Sequence, residues 1–216
     1  MKIRYYLEVV SSWCFWAEPA WAELRRRYGS EVQFEWRLAL MDACGLPSSR
    51  AQCDWFYGRS GTLVGSPSRL NSGWFEAGRT EYLAPNLVAE AARDFGVDDD
   101  RVRLALAHAA LREGKKVGDW QMAAEIGSAV TGIGVSTLLA AAKAPATEAR
   151  ARASTAEFHA LQVSQRPTFV LENAIGDRTV LSGLWTPEPL IAALDALRRD
   201  AAGYASYRAH HGDVPQ

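Results

Sequence analysis

Two strand-like runs with a helix between them, all near the amino terminus, constrain this chain most. Ile3 to Val10 reads as a short buried strand. Val32 to Leu40 alternates Val32, Phe34, Trp36 and Leu38 with Gln33, Glu35 and Arg37, which is the period of a half-buried strand. Between them Ser12 to Tyr28 reads as a helix, with Gly29 as a stop signal and Pro19 predicting a kink. A β-α-β unit predicts a parallel pair with a right-handed crossover. Its first turn is Ser11-Ser12-Trp13-Cys14. Backbone N–H groups at such a helix start point outward and favour negative charge by about 0.3–1 kcal/mol.

Strand character returns only late. Thr168 to Leu171 and Thr179 to Ser182 flank Asn173-Ala174-Ile175-Gly176-Asp177, which reads as a hairpin. Thr186 and Pro187 then open a last helix whose stripe is Leu190, Ile191, Leu194 and Leu197. From about Gly203 the tail reads as weakly ordered. Between the two strand regions lie helices: Asn86 is expected to cap one ending at Gly96, Asp98–Asp100 to start the next, and Asp119 and Ser136 to cap two more. A longer helix is expected from Thr147 to Leu161. From Met41 to Pro85 periodicity disappears among glycines and prolines. An unstructured stretch of that length reads as a lid or binding loop. Its Trp55, Tyr57, Asn71 and Trp74, with Phe56 and Arg59, suit a flat or anionic ligand. The alternative is a set of short helical turns packed by the same aromatics.

The resulting fold class is α/β: β-α-β, a helical insertion, then β-β-α, the order of the thioredoxin fold. The expected boundaries are 1–45 and 163–202 for the thioredoxin-like unit and 46–162 for the all-helical insertion, with a lid-like loop over 46–85.

At 216 residues and 48% hydrophobic content the chain can bury a core without staples. A net charge of −1 supplies no basic field for nucleic acid or an anionic membrane. The start lacks a signal-peptide core, and no apolar run spans a bilayer, so the expected location is cytoplasmic. Cys14, Cys44 and Cys53 form no zinc spacing and read as free thiols, and no metal site is expected. There is no P-loop, dinucleotide fingerprint or G-x-S-x-G elbow. The four histidines fall in alanine-rich helices and the tail, and they support no hydrolase.

In a dithiol enzyme the first turn would read Cys-x-x-Cys. Ser11 cannot attack a disulfide, because its hydroxyl stays protonated near neutral pH. It can donate a hydrogen bond to a ligand's thiolate, worth roughly 1.5–3 kcal/mol, or simply cap the helix. Cys14 is either a buried inert thiol or the partner in a mixed disulfide. Arg166 is a candidate for stabilising a thiolate, for binding a carboxylate, or for plain solvation. Pro167 is expected to be cis, or else a strand-initiating proline.

The SSWC turn, the helical insertion, the QRPTFVLE strand and Leu181-Ser182-Gly183 together resemble the DsbA-like thioredoxin superfamily. They are most similar to its branch of kappa-class glutathione transferases and 2-hydroxychromene-2-carboxylate isomerases. The resemblance covers most of the chain. It implies a glutathione-type thiol cofactor held by Ser11, Ser12, Trp13, Arg166, Pro167, Thr168 and Gly183, and a small aromatic or acidic substrate. It admits a homodimer. The chain departs from that branch after Gly183. Leu184 and Trp185 stand where the family places a Ser-Asp pair for the γ-glutamyl end, and Ser12 replaces the usual proline. The other readings are a DsbA-type oxidoreductase acting through Cys14 alone, and a catalytically silent binding protein.

Overall fold

The computed structural model describes residues 1–213. Four strands, β1 (Lys2–Leu7), β2 (Gln33–Leu38), β3 (Thr168–Glu172) and β4 (Arg178–Ser182), form one sheet in the order β2-β1-β3-β4. β1 and β2 run parallel, and β1–β3 and β3–β4 are antiparallel. Side chains alternate across it. Ile3, Tyr5, Leu7, Phe169 and Leu171 join the larger core, under α1 (Ser12–Tyr28) and α8 (Pro187–His211). Tyr6 and Val170 point the other way, onto Phe158 of α7 (Pro145–Ala160), which also packs against β2.

The remaining helices are α2 (Arg50–Leu63), α3 (Leu83–Ala91), α4 (Arg101–Leu111), α5 (Trp120–Thr131) and α6 (Val135–Ala142). Every residue of α3 from Ala84 to Ala91 is buried, so it is the bundle's central rod, touched by α4, α5, α6 and α7. Gly127 of α5 permits part of this closeness, since a methyl there would meet Leu138 and Val88 at 2.8 and 2.9 Å.

Several boundaries differ from the sequence expectation. The 46–85 span is not a bare lid-like loop. It contains α2, capped by Ser49 on the Gln52 amide, and a 3-10 turn at Ser72–Trp74. Asn86 does not cap a helix but lies inside α3, where its amide side chain bonds Glu8, the Tyr82 carbonyl and the Val9 amide. Gly134, not Ser136, precedes α6. The tail from Gly203 continues α8 to His211, and the last residues of that expectation, 214–216, lie outside the described residues. β1 ends at Leu7, because Glu8 turns into the core instead of extending the ladder.

A buried charge cluster fastens the helical bundle to the sheet unit. Arg103 of α4, 3% exposed, donates to Glu18 of α1 and to Asp100. Tyr5 of β1 donates to Glu18 at 3.1 Å, and Trp21 donates to Asp100 at 3.1 Å. Burial works against the Arg103 charge, but the two carboxylates outweigh it and raise its pKa.

Candidate active site

The sheet topology itself assembles the site. β1 and β2 are parallel, so the segments leaving both emerge at one end, and antiparallel β3 begins at that same end. Three stretches far apart in sequence therefore meet: the Val10–Trp13 turn, the Met41–Pro47 loop and Ser164–Arg166. With α2, Trp74 and His159 they enclose a cavity of about 460 Å³.

Ser11 is the N-cap of α1, its hydroxyl accepting the Cys14 amide at 3.4 Å. It also lines the cavity, as do Ser12 and Trp13. Capping uses a lone pair of Ser11 Oγ, and its proton is directed toward the Cys14 sulfur, from which a ligand thiolate would have to draw it. Cys14 lies behind, 3% exposed and off the cavity wall. Burial pushes its thiol up to about 11, against the pull of the Ser11 hydroxyl. Cys53 is buried too and is likewise pushed to about 11 by burial. Cys44 alone is exposed, and it lines the cavity. A thiol with a pKa of about 11 is ionised to only ~10⁻⁴ at pH 7. Cys14 and Cys53 are therefore expected to react with a thiol reagent at least about a hundredfold more slowly than Cys44. Peptide mass spectrometry after timed labelling reads the order directly.

Arg166 lines the cavity, half-buried, with its donors committed to the chain. Its guanidinium donates to the carbonyls of Ala39, Leu40 and Ser164 and sits 4.6 Å from the Phe158 ring centre. It thus ties the start of β3 to the loop after β2. The Arg166–Pro167 bond is cis. Thr168 is fully buried, bonded to the Gln165 carbonyl at 2.7 Å, and Gly183 donates to the Pro167 carbonyl at 2.8 Å. Neither Thr168, Pro167 nor Gly183 reaches the cavity, so they support the site from behind.

Of the four residues expected against the substrate, Tyr57 and Trp74 line the cavity. They brace each other, Trp74 Nε1 donating to the Tyr57 hydroxyl at 2.7 Å. Trp55 is 61% exposed on the outside of α2, under Arg59, and Asn71 caps the 3-10 turn through the Gly73 amide. Sequence reasoning missed Asp42, Cys44 and His159 at the cavity. The signal for the first two was the parallel β1–β2 pair, which places the loop after β2 beside the turn after β1. His159 had none, since one polar residue in an alanine-rich helix has no readable direction.

The architecture has close counterparts among solved structures. The cytosolic disulfide reductase DsbM from Pseudomonas aeruginosa superposes with a TM-score of 0.73 at 20% identity, over 92% of this chain and 99% of that one. Its structure with GSH gives 0.71 at 19% identity, over 92% and 100%. This chain has the DsbA-like thioredoxin fold. A 2-hydroxychromene-2-carboxylate isomerase shares the DsbA-like fold with a TM-score of 0.62 at 16% identity, covering 95% of this chain and 98% of its own. No protein-family model and no curated protein sequence matches the chain. Within the DsbA-like fold the cavity described above lies at the start of α1, where this chain carries Ser11 and not a sulfur.

Proposed function

We propose that this chain binds a small thiol of the glutathione type at the start of α1 and presents it as a nucleophile, in an isomerase- or transferase-type reaction on a small aromatic or acidic molecule. One observation carries this reading. At the helix start the residue lining the cavity is Ser11, while the neighbouring sulfur, Cys14, is buried, off the cavity wall and held protonated. A hydroxyl and a helix N-terminus together stabilise a ligand thiolate, so the reactive sulfur comes from the ligand. DsbM, solved with GSH, and the chromene isomerase share the fold and lend support. The same reading takes the chain to be cytoplasmic, where small thiols stay reduced, and allows for a homodimer.

A second reading is favoured by Cys44, whose exposed thiol lines the same cavity. A glutathione disulfide bound there would be attacked by the Cys44 thiolate, one glutathione being kept as a mixed disulfide and the other leaving as a thiol, with Cys14 taking no part. Titration calorimetry with glutathione decides the first point. Saturable binding is expected, and Ser11→Ala should weaken it about 10- to 100-fold, the worth of one charge-assisted hydrogen bond. An unchanged affinity in Ser11→Ala, or no binding to the wild type, sinks the proposal. A mixed disulfide with glutathione that disappears in Cys44→Ser would favour the second reading.

A further inference from the structure

Leu197 is the last buried residue of α8, and from Arg198 to His211 the helix runs on with no residue buried. At 1.5 Å per residue this free rod is roughly 20 Å long. Its Asp200, Tyr204, Tyr207 and His211 follow the i, i+4, i+7, i+11 spacing, so they form one narrow stripe. The rings of Tyr207 and His211 meet along it, with centroids 4.4 Å apart. Tyr204 and Tyr207 are 64% and 66% exposed. Tyrosine is enriched where proteins meet, because its ring is covered while its hydroxyl stays wet. Arg198 is engaged with Glu31 and Asp195, and not with Asp200. Read along the helix, the stripe runs acid, aromatic, aromatic, imidazole.

We infer that this stripe is a docking surface for a second copy of the chain, the two α8 ends lying antiparallel about a two-fold axis. The order of the residues selects that occupant. Turned end for end, the stripe is its own complement, which a two-fold contact requires. Tyr204 then meets Tyr207 of the partner subunit, and Asp200 meets His211 of the partner subunit, each contact being made twice. A parallel pair would set carboxylate on carboxylate instead. In the antiparallel register each helix tip comes level with Asp200 of the other copy, just past Leu197, so the exposed stretch is covered from end to end. A lipid surface fits less well: Arg198, Arg199, Arg208 and His210 are spread around the helix and leave no apolar face. One pair of short helices is smaller than the ~1,200 Å² at which standard interfaces begin, so a weak dimer is expected, with a Kd of about 10–100 µM. The inference stands apart from the thiol reading, since the cavity at the start of α1 shares no residue with this stripe.

The test is sedimentation velocity on the full chain across a dilution series that brackets that Kd. Asp200→Lys sets an ammonium against His211, and His211→Glu sets two carboxylates together. Each should raise the Kd at least about tenfold. The two substitutions combined restore opposite charges in exchanged positions and should return the Kd to within about threefold of the wild type. Both side chains are exposed beyond the last buried residue, so all three variants should keep the wild-type melting temperature. Rescue by the double variant is a result that simple damage to the helix does not produce. A chain that stays monomeric throughout, a dimer indifferent to both single variants, or a double variant no better than the singles overturns the inference. So does a monomer that floats with phosphatidylserine vesicles, which would assign the stripe to a lipid surface.

Discussion

Ser11→Cys is expected to convert this chain into a dithiol oxidoreductase, raising its rate of thiol–disulfide exchange by about three orders of magnitude. The Ser11 oxygen already lies against Cys14, capping its amide and pulling on its thiol. A sulfur in that place would sit at a helix N-terminus facing the cavity, where thiol pKa values fall to about 3.5–7.5. Cys14, pushed to about 11, contributes almost no thiolate of its own, but it would be well placed to resolve a mixed disulfide formed at position 11. Reduction of a disulfide substrate, followed by the thiol–disulfide state of the pair in redox buffers, measures the gain. The gain should disappear when Cys14→Ser is added. A variant that stays inert would show that the turn cannot bring the two sulfurs together, and that more than the missing atom separates this site from dithiol chemistry.

Arg103→Ala should cost about 3–5 kcal/mol of folding stability, the range for stripping one partner from a buried ion cluster. Glu18 and Asp100 would be left facing each other's charge, and Tyr5 and Trp21 would keep hydrogen bonds to carboxylates that nothing neutralises. Arg103→Lys should recover little, because Nε, both terminal nitrogens and their fork geometry are all used. Urea denaturation followed by tryptophan fluorescence and by far-ultraviolet dichroism checks both variants. Since the cluster joins α4 to α1 and β1, the two signals should also separate, the bundle and the sheet unit no longer melting as one. A loss under about 1 kcal/mol would mean that the cluster's desolvation nearly cancels its attraction.

Elements with apolar periodicity were legible in the sequence: β1, β2, the β3–β4 hairpin and the first part of α8 all announced themselves through side chains that repeat at their own spacing. α2 did not, and its buried residues explain why. They are Cys53, Tyr57, Ser60 and Gly61, a correct helical spacing written in residues that do not look like a core. The end of α8 was hidden for the opposite reason. From Gly203 to Asp213 none of the residues is buried, so no pattern exists to be read. Asn86 carried a false signal. It has the chemistry of a cap, but its amide is spent on Glu8, a contact that only the folded chain creates. The site divides in the same way. The Ser11 turn stands out locally, whereas Asp42 reaches the cavity only because the parallel β1–β2 pair brings the loop after β2 beside that turn, and Arg59 only because α2 packs against α1.

Gly58 and Gly61 sit inside α2, and a methyl group added at either would touch nothing within 4 Å. Neither is there to let another chain come near. Each weakens the helix by about 1 kcal/mol relative to alanine. The wall bearing Phe56, Tyr57 and Arg59 is therefore built to unravel more readily than α7 opposite it. Amide deuterium uptake should be faster along that segment than in α7 or in the sheet behind it.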